Sequence, residues 1–384
     1  MTAGGLIVPV LWTLLLARKV MLARATPFLA PDDGLPEDPP RVDAIIPAHN
    51  EERDVEATVR AVRSQNYPHL NITVVDDRST DGTGAILRRL ADELPGIRVI
   101  DGVPRPPGWV GKTWAIQQAH AGLSAEWIWF VDADMGLDPR ALSTAMARAR
   151  RVDADLVSII ARPVVHSFWQ GAVALCIGEI LYQLYPLSRA NDPSRSTAIA
   201  AGGFILVKRS RYEQIGGHEA LRGEIVEDIA LSRRIKAAGG RLSTHLAPGL
   251  VWTHMYGTIR EIWVGLRKNA YAGMDYRFHK FVALAIGGLI LAWGPHFELI
   301  RGLATGDRLR AAAGLWGLLA ETLTMWPSLV FLGIPWWYAL TFPFGLTAYI
   351  AIAASGVWHH HRGRILWKDV VMSPADILST TGGR

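Results

Sequence analysis

The chain has 384 residues, 50% of them hydrophobic, with a formal net charge of +5, 15 tryptophans and one cysteine, Cys176. A single cysteine excludes an intramolecular disulfide, so folding needs no oxidising compartment. A chain both basic and apolar points to an anionic lipid surface, and its basic residues flank apolar runs instead of forming the stripe a nucleic-acid binder needs.

The first run, "GGLIVPVLWTLLLA" from Gly4 to Ala17, is followed by Arg18, Lys19 and Arg24. No small-residue cleavage site follows it, so residues 1–25 are expected to form an uncleaved membrane anchor whose C-terminal side is cytoplasmic. A Pro/Asp-rich linker, "PDDGLPEDPP", falls within residues 26–41. Beyond it, strand-like runs alternate with helical patterns. Strands are expected at Val42 to Ala48, Asn71 to Asp77, Arg98 to Gly102, Trp127 to Asp134 and Leu156 to Arg162. Helices are expected at Glu51 to Gln65, Asp81 to Leu94, Lys112 to Leu123 and Pro139 to Arg151. The alternation predicts an α/β domain over residues 42–277 with a mostly parallel central sheet covered on both faces.

Ligands of such sheets bind beyond the carboxyl ends of the strands. Three ends carry polar groups of one character: "PAHNEE", "VVDDRSTDGT" and "VDAD". Turn formers are common at strand ends, but acidic and amide groups at three of them suggest a shared site. If the fourth strand runs through Asp134, then Asp132 and Asp134 point the same way about 6.6 Å apart. Two full charges at that spacing repel by roughly 2.5 kcal/mol at an effective dielectric of ~20. A divalent cation shared with a diphosphate would offset this, since Mg²⁺ commonly binds one or two carboxylates plus phosphates. A pair of solvated loop carboxylates is the alternative.

"GWVGKT", Gly108 to Thr113, is similar to the end of a P-loop, but Pro106 stands where the pattern needs glycine and removes an N–H from the phosphate cradle. Lys112 remains a candidate cation for phosphate or sugar, or a solvated lysine at a helix start. "HSFWQGAVALCIGEILYQLYPL", His166 to Leu187, is expected to be a helix that packs in the core, an acceptor-side membrane contact being the alternative. "GEIVEDIALSRRIKAAGG", Gly223 to Gly240, predicts an amphipathic helix with Ile225, Ile229 and Ile235 buried. Glu227 and Asp228 fall in its first turn, where they suit the helix dipole or serve as a general base. A further helix places Arg267 and Lys268 where they would meet a diphosphate or lipid headgroups.

The last third is apolar again. Phe281 to Gly294 is short and runs into Pro295, so residues 278–300 are expected to form an interfacial or re-entrant segment. Two transmembrane helices are expected within 311–358, as Ala311 to Leu332, which carries Glu321, and Pro335 to Trp358. Residues 359–384 are expected to be a basic cytoplasmic tail. With 281–294 in the interface, the basic flanks at 277–280, 301–310 and 359–364 stay on the side of the central domain. These readings describe a multi-pass protein of the inner (plasma) membrane with its catalytic domain in the cytoplasm.

Taken in order, "IIPAHNEE", "VVDDRSTDGT", "GK", "FVDADM", "AGGFILVKR", "VEDIAL" and "GLRKN" resemble family 2 glycosyltransferases of the GT-A fold, from Val42 to Tyr276. "GWVGKTWA", the anchor and the apolar tail are most similar to membrane-bound lipid glycosyltransferases, nearest to the hopene-associated and carotenoid-acid enzymes. The resemblance implies a nucleotide-sugar donor, a lipid acceptor, and Mg²⁺ or Mn²⁺. It implies that Pro47, Asn50, Glu52 and Asp77 shape the nucleotide pocket, with Asp76 or Asp77 reading the base, uracil in most members. Asp132 and Asp134 would be the D-x-D pair, with Asp134 the direct metal ligand. Gly202 and Gly203 would admit the donor sugar, and Asp228, with Glu227 beside it, would be the base of an inverting displacement. Arg267 and Lys268 occupy the place of the Q-x-x-R-W motif of processive members, and this chain reads "GLRKNAY" there. A single transfer is therefore expected. A processive polysaccharide synthase and a catalytically silent nucleotide-sugar binder are the alternatives.

Overall fold

The computed structural model describes residues 4–32, 34, 35, 37–254, 256–362, 365–367 and 370–372. In chain order, the first half holds α1 (Gly4–Ala25), β1 (Val42–Ala48), α2 (Val55–Arg63), β2 (Leu70–Asp76), α3 (Thr83–Glu93), β3 (Ile97–Asp101), α4 (Gly111–His120), β4 (Trp127–Phe130), β5 (Met135–Leu137) and α5 (Ala141–Arg151). Then come β6 (Leu156–Ile160), β7 (Arg162–Pro163), α6 (Phe168–Leu184), α7 (Leu187–Ala190), β8 (Ile205–Lys208), α8 (Arg209–Gln214), α9 (Glu227–Ala237), β9 (Leu242–Leu246) and β10 (Val251–Thr253). The last helices are α10 (Ile259–Ala272), α11 (Phe278–Thr305), α12 (Arg308–Leu332) and α13 (Phe342–His361). They form two compact units, a sheet unit built on Pro27–Val164 and Leu187–Met255, and a helical unit of Met1–Thr26, Val165–Pro186 and Tyr256–Met372.

The sheet unit has a seven-stranded sheet in the order β3-β2-β1-β4-β8-β6-β9. Only β8 runs antiparallel to its neighbours. Period-two alternation sends Ala44 and Ile46 of β1 to one face and Ile45 to the other. The first face packs on Val55, Val59 and Val62 of α2, Leu87 and Leu90 of α3, and Leu142 and Met146 of α5. The second packs on Ala115, Ile116 and Ala119 of α4, Tyr212 of α8, and Leu231 and Ile235 of α9. The helix spacing i, i+4, i+7 supplies each stripe. Part of the expected linker is tied to an edge of this sheet. Phe28 bridges Leu246, and the Leu29 N–H donates to the Leu246 carbonyl at 3.0 Å, which covers the outer strand β9.

Two expectations here need correction. β4 stops at Phe130, and the chain bends into β5, which pairs antiparallel with β10 in a second, three-stranded sheet. Asp132 and Asp134 therefore lie on a turn between two sheets, and strand alternation does not set their directions. In α9 the buried side chains are Glu227, Ala230, Leu231, Ser232 and Ile235, while Ile225 and Ile229 are only half-buried. The helix starts at Glu227, so Ile225 precedes it and the helical phase is set from a later residue.

Among the described residues of the helical unit, four helices are long and apolar enough to cross a membrane: Leu6–Ala25, Phe278–Thr305, Arg308–Leu332 and Trp336–His361. The short segment expected over 278–300 is instead part of one 28-residue helix, α11, which continues through Pro295. Its polar end is matched in a hairpin with α12. Arg310 pairs with Glu298 at 3.2 Å, Gly302 of α11 lets Ala311 of α12 approach closely, and Gly314 and Gly317 of α12 do the same for Leu299 and Pro295 of α11. The expected second span, Pro335 to Trp358, begins as a 3-10 turn at Trp336–Thr341 before α13. Glu321 is buried within this unit. α6 also belongs here, and Phe168, Trp169, Leu181 and Leu184 are exposed on it, so it is not the fully packed core helix expected. Residues 363, 364, 368, 369 and 373–384 of the expected tail lie outside the described residues.

One polar knot sits inside the apolar helices. Lys19, 1% exposed, donates to Glu179 Oε2 at 2.5 Å and to Ser328 Oγ at 3.0 Å, and its Nζ lies 3.7 Å from the centre of the Tyr182 ring. Ser328 donates to the same Glu179 oxygen at 3.1 Å. Lys19 was expected among the charges outside the membrane, and it serves instead to join α1, α6 and α12. Breaking a buried pair from one side leaves an uncompensated charge and costs about 3–5 kcal/mol. Lys19→Met is therefore expected to lower thermal stability in detergent sharply, and Lys19→Met with Glu179→Gln to recover most of the loss.

Candidate active site

The carboxyl ends of β1 and β2 are knitted together by their loops. Asn50, at φ 52°, accepts from the Thr80 N–H through Oδ1 at 2.8 Å, and its own N–H donates to Ser79 Oγ at 3.0 Å. Glu52 Oε2 accepts from the Gly82 N–H at 2.8 Å, just before α3. Pro47 lies in β1 opposite Val75. Asn50 and Glu52 thus hold the rim in shape. Asp76 Oδ1 also accepts from the Ser79 N–H at 2.9 Å. Asp77 differs. It is 3% exposed, its Oδ1 has no hydrogen-bond partner, and Arg78 Nε stands 3.6 Å from that oxygen. Burial pushes its carboxyl above the ordinary aspartate range, against the pull of Arg78. Asp77 Oδ1 is thus a buried acceptor without a hydrogen-bond partner.

A second group gathers around Gly202. Lys112 opens α4, and its Nζ lies 2.5 Å from Asp132 Oδ1 and 2.6 Å from Glu227 Oε1. The Gly202 N–H donates to Asp228 Oδ2 at 2.9 Å, and the Ile229 N–H donates to Asp228 Oδ1 at 2.7 Å. A Cβ on Gly202 would sit 2.7 Å from the Lys112 ammonium, 3.1 Å from Asp132 Oδ2 and 3.6 Å from Asp228 Oδ2, so the missing side chain leaves the room that the charged groups share. A Cβ on Gly203 would meet Met135 Sδ at 2.5 Å, so that glycine is needed for packing beneath the site. Glu227 and Asp228 begin α9, where the helix dipole favours negative charge.

Asp134 accepts from Thr253 Oγ1 at 3.2 Å, and its carbonyl takes the His254 N–H at 3.5 Å. β10 thus supplies Thr253, to which the sequence assigns no role, and is followed by His254, which by sequence could complete a metal site but as a lone histidine is more often structural. The only signal for them was the three-residue strand "VWT" followed by histidine. Desolvation, with Asp132 and Glu51 nearby, pushes the Asp134 carboxyl up to about 7. Desolvation and Glu227 push Asp228 up to about 7, against the pull of Lys112. Burial alone would lower the Lys112 pKa, yet Asp132, Glu227 and Asp228 outweigh it and hold the ammonium above the usual lysine range.

Asp132 and Glu227 thus contact one ammonium, and Asp228 lies within its field. Among the described residues, no group of three or more His, Cys, Asp or Glu is gathered as a closed metal cage. An oxygen-only pair of carboxylates fits Mg²⁺ or Mn²⁺ that takes its remaining ligands from phosphate. Arg267 lies on α10 of the helical unit, with Nη1 3.3 Å from His359 Nε2. The side chain of Lys268 lies outside the described residues.

Residues 43–216 match the family described as Glycosyl transferase family 2. Curated relatives include 4,4'-diaponeurosporenoate glycosyltransferases of Staphylococcus aureus strains MRSA252 and USA300, 27% and 28% identical over 190 residues. Each match covers 49% of this chain and 49% of the relative, so the chain spans about half the length of the curated relatives it matches. Among solved structures, the mannosyltransferase PcManGT from Pyrobaculum calidifontis, in complex with GDP-Man and Mn2+, aligns with a TM-score of 0.53 at 19% identity, over 92% of this chain and 96% of that one. This likeness establishes the fold as GT-A.

The raised Asp228 carboxyl has a consequence for stability. Its folded pKa lies above the unfolded value of about 3.9, so the native state holds the proton more tightly. The resulting stabilisation is full below about pH 4 and is lost as pH rises through about 7. Asp228→Asn removes the titration but loses one of the two amide hydrogen bonds, so its stability relative to the parent is expected to rise by on the order of 1 kcal/mol or more from pH 5 to pH 8. Thermal melts at the two pH values check it.

Proposed function

We propose that this chain, whose residues 43–216 form a family 2 glycosyltransferase domain, moves a sugar from a nucleotide-diphosphate sugar, preferably UDP-linked, to a membrane lipid in one inverting displacement. The observation that supports it best is the meeting of Lys112, Asp132, Glu227 and Asp228 around Gly202, at the carboxyl rim of a mostly parallel sheet. The spare Asp77 oxygen suits the imide N–H of uracil. Asp134, with Asp132 beside it, would hold Mg²⁺ or Mn²⁺, which when bound neutralises charge on the departing diphosphate. Asp228, at a pKa of about 7, is poised to take a proton from an acceptor hydroxyl at neutral pH. The hydrogen bonds from the Gly202 and Ile229 amides fix the direction of its two oxygens.

The acceptor is a hopanoid, a carotenoid or a related lipid. The four long apolar helices and the names of the curated relatives favour a lipid, and the absence of Q-x-x-R-W favours a single sugar over a polymer. The chain would cross the plasma membrane several times with its sheet unit in the cytoplasm, as the positive charges after α1 favour.

Detergent-solubilised protein incubated with nucleotide sugars and total membrane lipid is expected to give one hexose-type mass gain by mass spectrometry. Asp134→Ala is expected to keep the fold and lose about a hundredfold or more of cation-dependent turnover. Wild-type-like turnover in that variant removes the cation assignment, and long sugar chains favour the processive alternative. Asp228→Asn separates acceptor types. A hydroxyl lipid is expected to lose about 10²–10⁴-fold in rate. A carboxylic acid is already ionised at neutral pH and needs no base, so it is expected to lose less than about tenfold.

A further inference from the structure

Lys112 reaches across segments that the chain brings from far apart. Its helix start is fixed by neighbours: the Val110 N–H donates to the Arg222 carbonyl at 2.7 Å, and Thr113 Oγ1 donates to the Val110 and Arg222 carbonyls at 2.9 and 3.0 Å. The turn that aims Lys112 is thereby tied to the segment leading into α9, which carries Glu227. On the opposite side the ammonium meets Asp132, beyond β4. Thr113 is fully buried, so this anchor is rigid. Asp134, two residues from Asp132, has no lysine or arginine partner among the described residues. The ammonium therefore occupies one of the two carboxylates that the proposed function assigns to a divalent cation.

We propose that Lys112 is a positioning residue whose ammonium stands in for the divalent cation at Asp132 while no donor is bound, so that the Lys112–Asp132 pair and cation binding oppose each other. The inference rests on the reading of Asp132 and Asp134 as cation ligands. An ammonium in contact with a ligand carboxylate both blocks one of its oxygens and repels an incoming divalent charge. A diphosphate changes the balance, because it brings negative charge that accepts the displaced ammonium. Cation and nucleotide then bind cooperatively, each raising the affinity for the other by the same factor. In the absence of donor, the same ammonium keeps Glu227, and with it the start of α9, aligned on the β4 turn, so the acceptor base is in place before the donor arrives.

The test is Mn²⁺ binding to the full chain in detergent, followed by electron paramagnetic resonance of free Mn²⁺, with and without UDP. The parent is expected to bind Mn²⁺ weakly alone and more tightly with UDP. Lys112→Met is expected to bind Mn²⁺ alone at least about tenfold more tightly, with the gain from UDP reduced, as expected for removal of a unit positive charge beside a divalent ion. Lys112→Arg is expected to behave like the parent. Should Lys112→Met fail to fold, Lys112→Gln, which removes the charge and keeps a polar head, gives the same reading. An Mn²⁺ affinity without UDP that is unchanged within about twofold, or weaker, in the folded variant overturns the inference and leaves the proposed function standing. Failure of the parent to bind Mn²⁺ or UDP under any condition overturns both.

Discussion

An imbalance of charge organises the sheet unit. Asp132, Asp134, Glu227 and Asp228 are brought to one rim by the turn after β4 and by the first turn of α9, and the Lys112 ammonium is the cation that meets Asp132 and Glu227 there. The surroundings hold these groups in place at a cost in solvation. Desolvation is the largest cause of the raised carboxyls of Asp134 and Asp228. A site that is short of positive charge and closed to free rearrangement favours ligands that bring a cation with them. It also keeps Asp228 half-ionised near neutral pH, the condition under which a carboxylate both takes and returns a proton.

Each supporting element does one mechanical job for this rim. β1 and β2 end in loops that Asn50, Glu52 and Asp76 lock together, which leaves Asp77 with its spare oxygen. β8 begins just after two glycines, one making room for the charges and one for Met135. The second sheet, β5-β10-β7, carries Thr253 to Asp134. The helical unit solves a different problem: it buries Lys19 against Glu179, so that this charge is not isolated among apolar helices.

Much of the sheet was legible because its strands are continuous apolar runs with helices between them. Val42–Ala48 has the bounds the sequence suggests, since Asp43 to Ala48 alternates between two packed faces. The turn at Asp132–Asp134 was not legible. Hydropathy continues through Val131 and Ala133, and only pairing with a three-residue strand far along the chain bends the backbone there. The choice between Asp76 and Asp77 needed three-dimensional partners, because both end the same strand. Lys112 read as a phosphate cation because its carboxylate partners lie at positions 132 and 227, and no local pattern links them. The length of α11 was hidden by Pro295 and Glu298, which interrupt the apolar run although the hairpin with α12 accommodates both.

The most direct measurement is an experimental structure of the full chain with UDP and Mn²⁺ bound. The account predicts the uracil against Asp77, the ion on Asp134 and Asp132, and the diphosphate between them and Lys112. A nucleotide seated away from the ends of β1, β2 and β4, or an ion held by other residues, would contradict it.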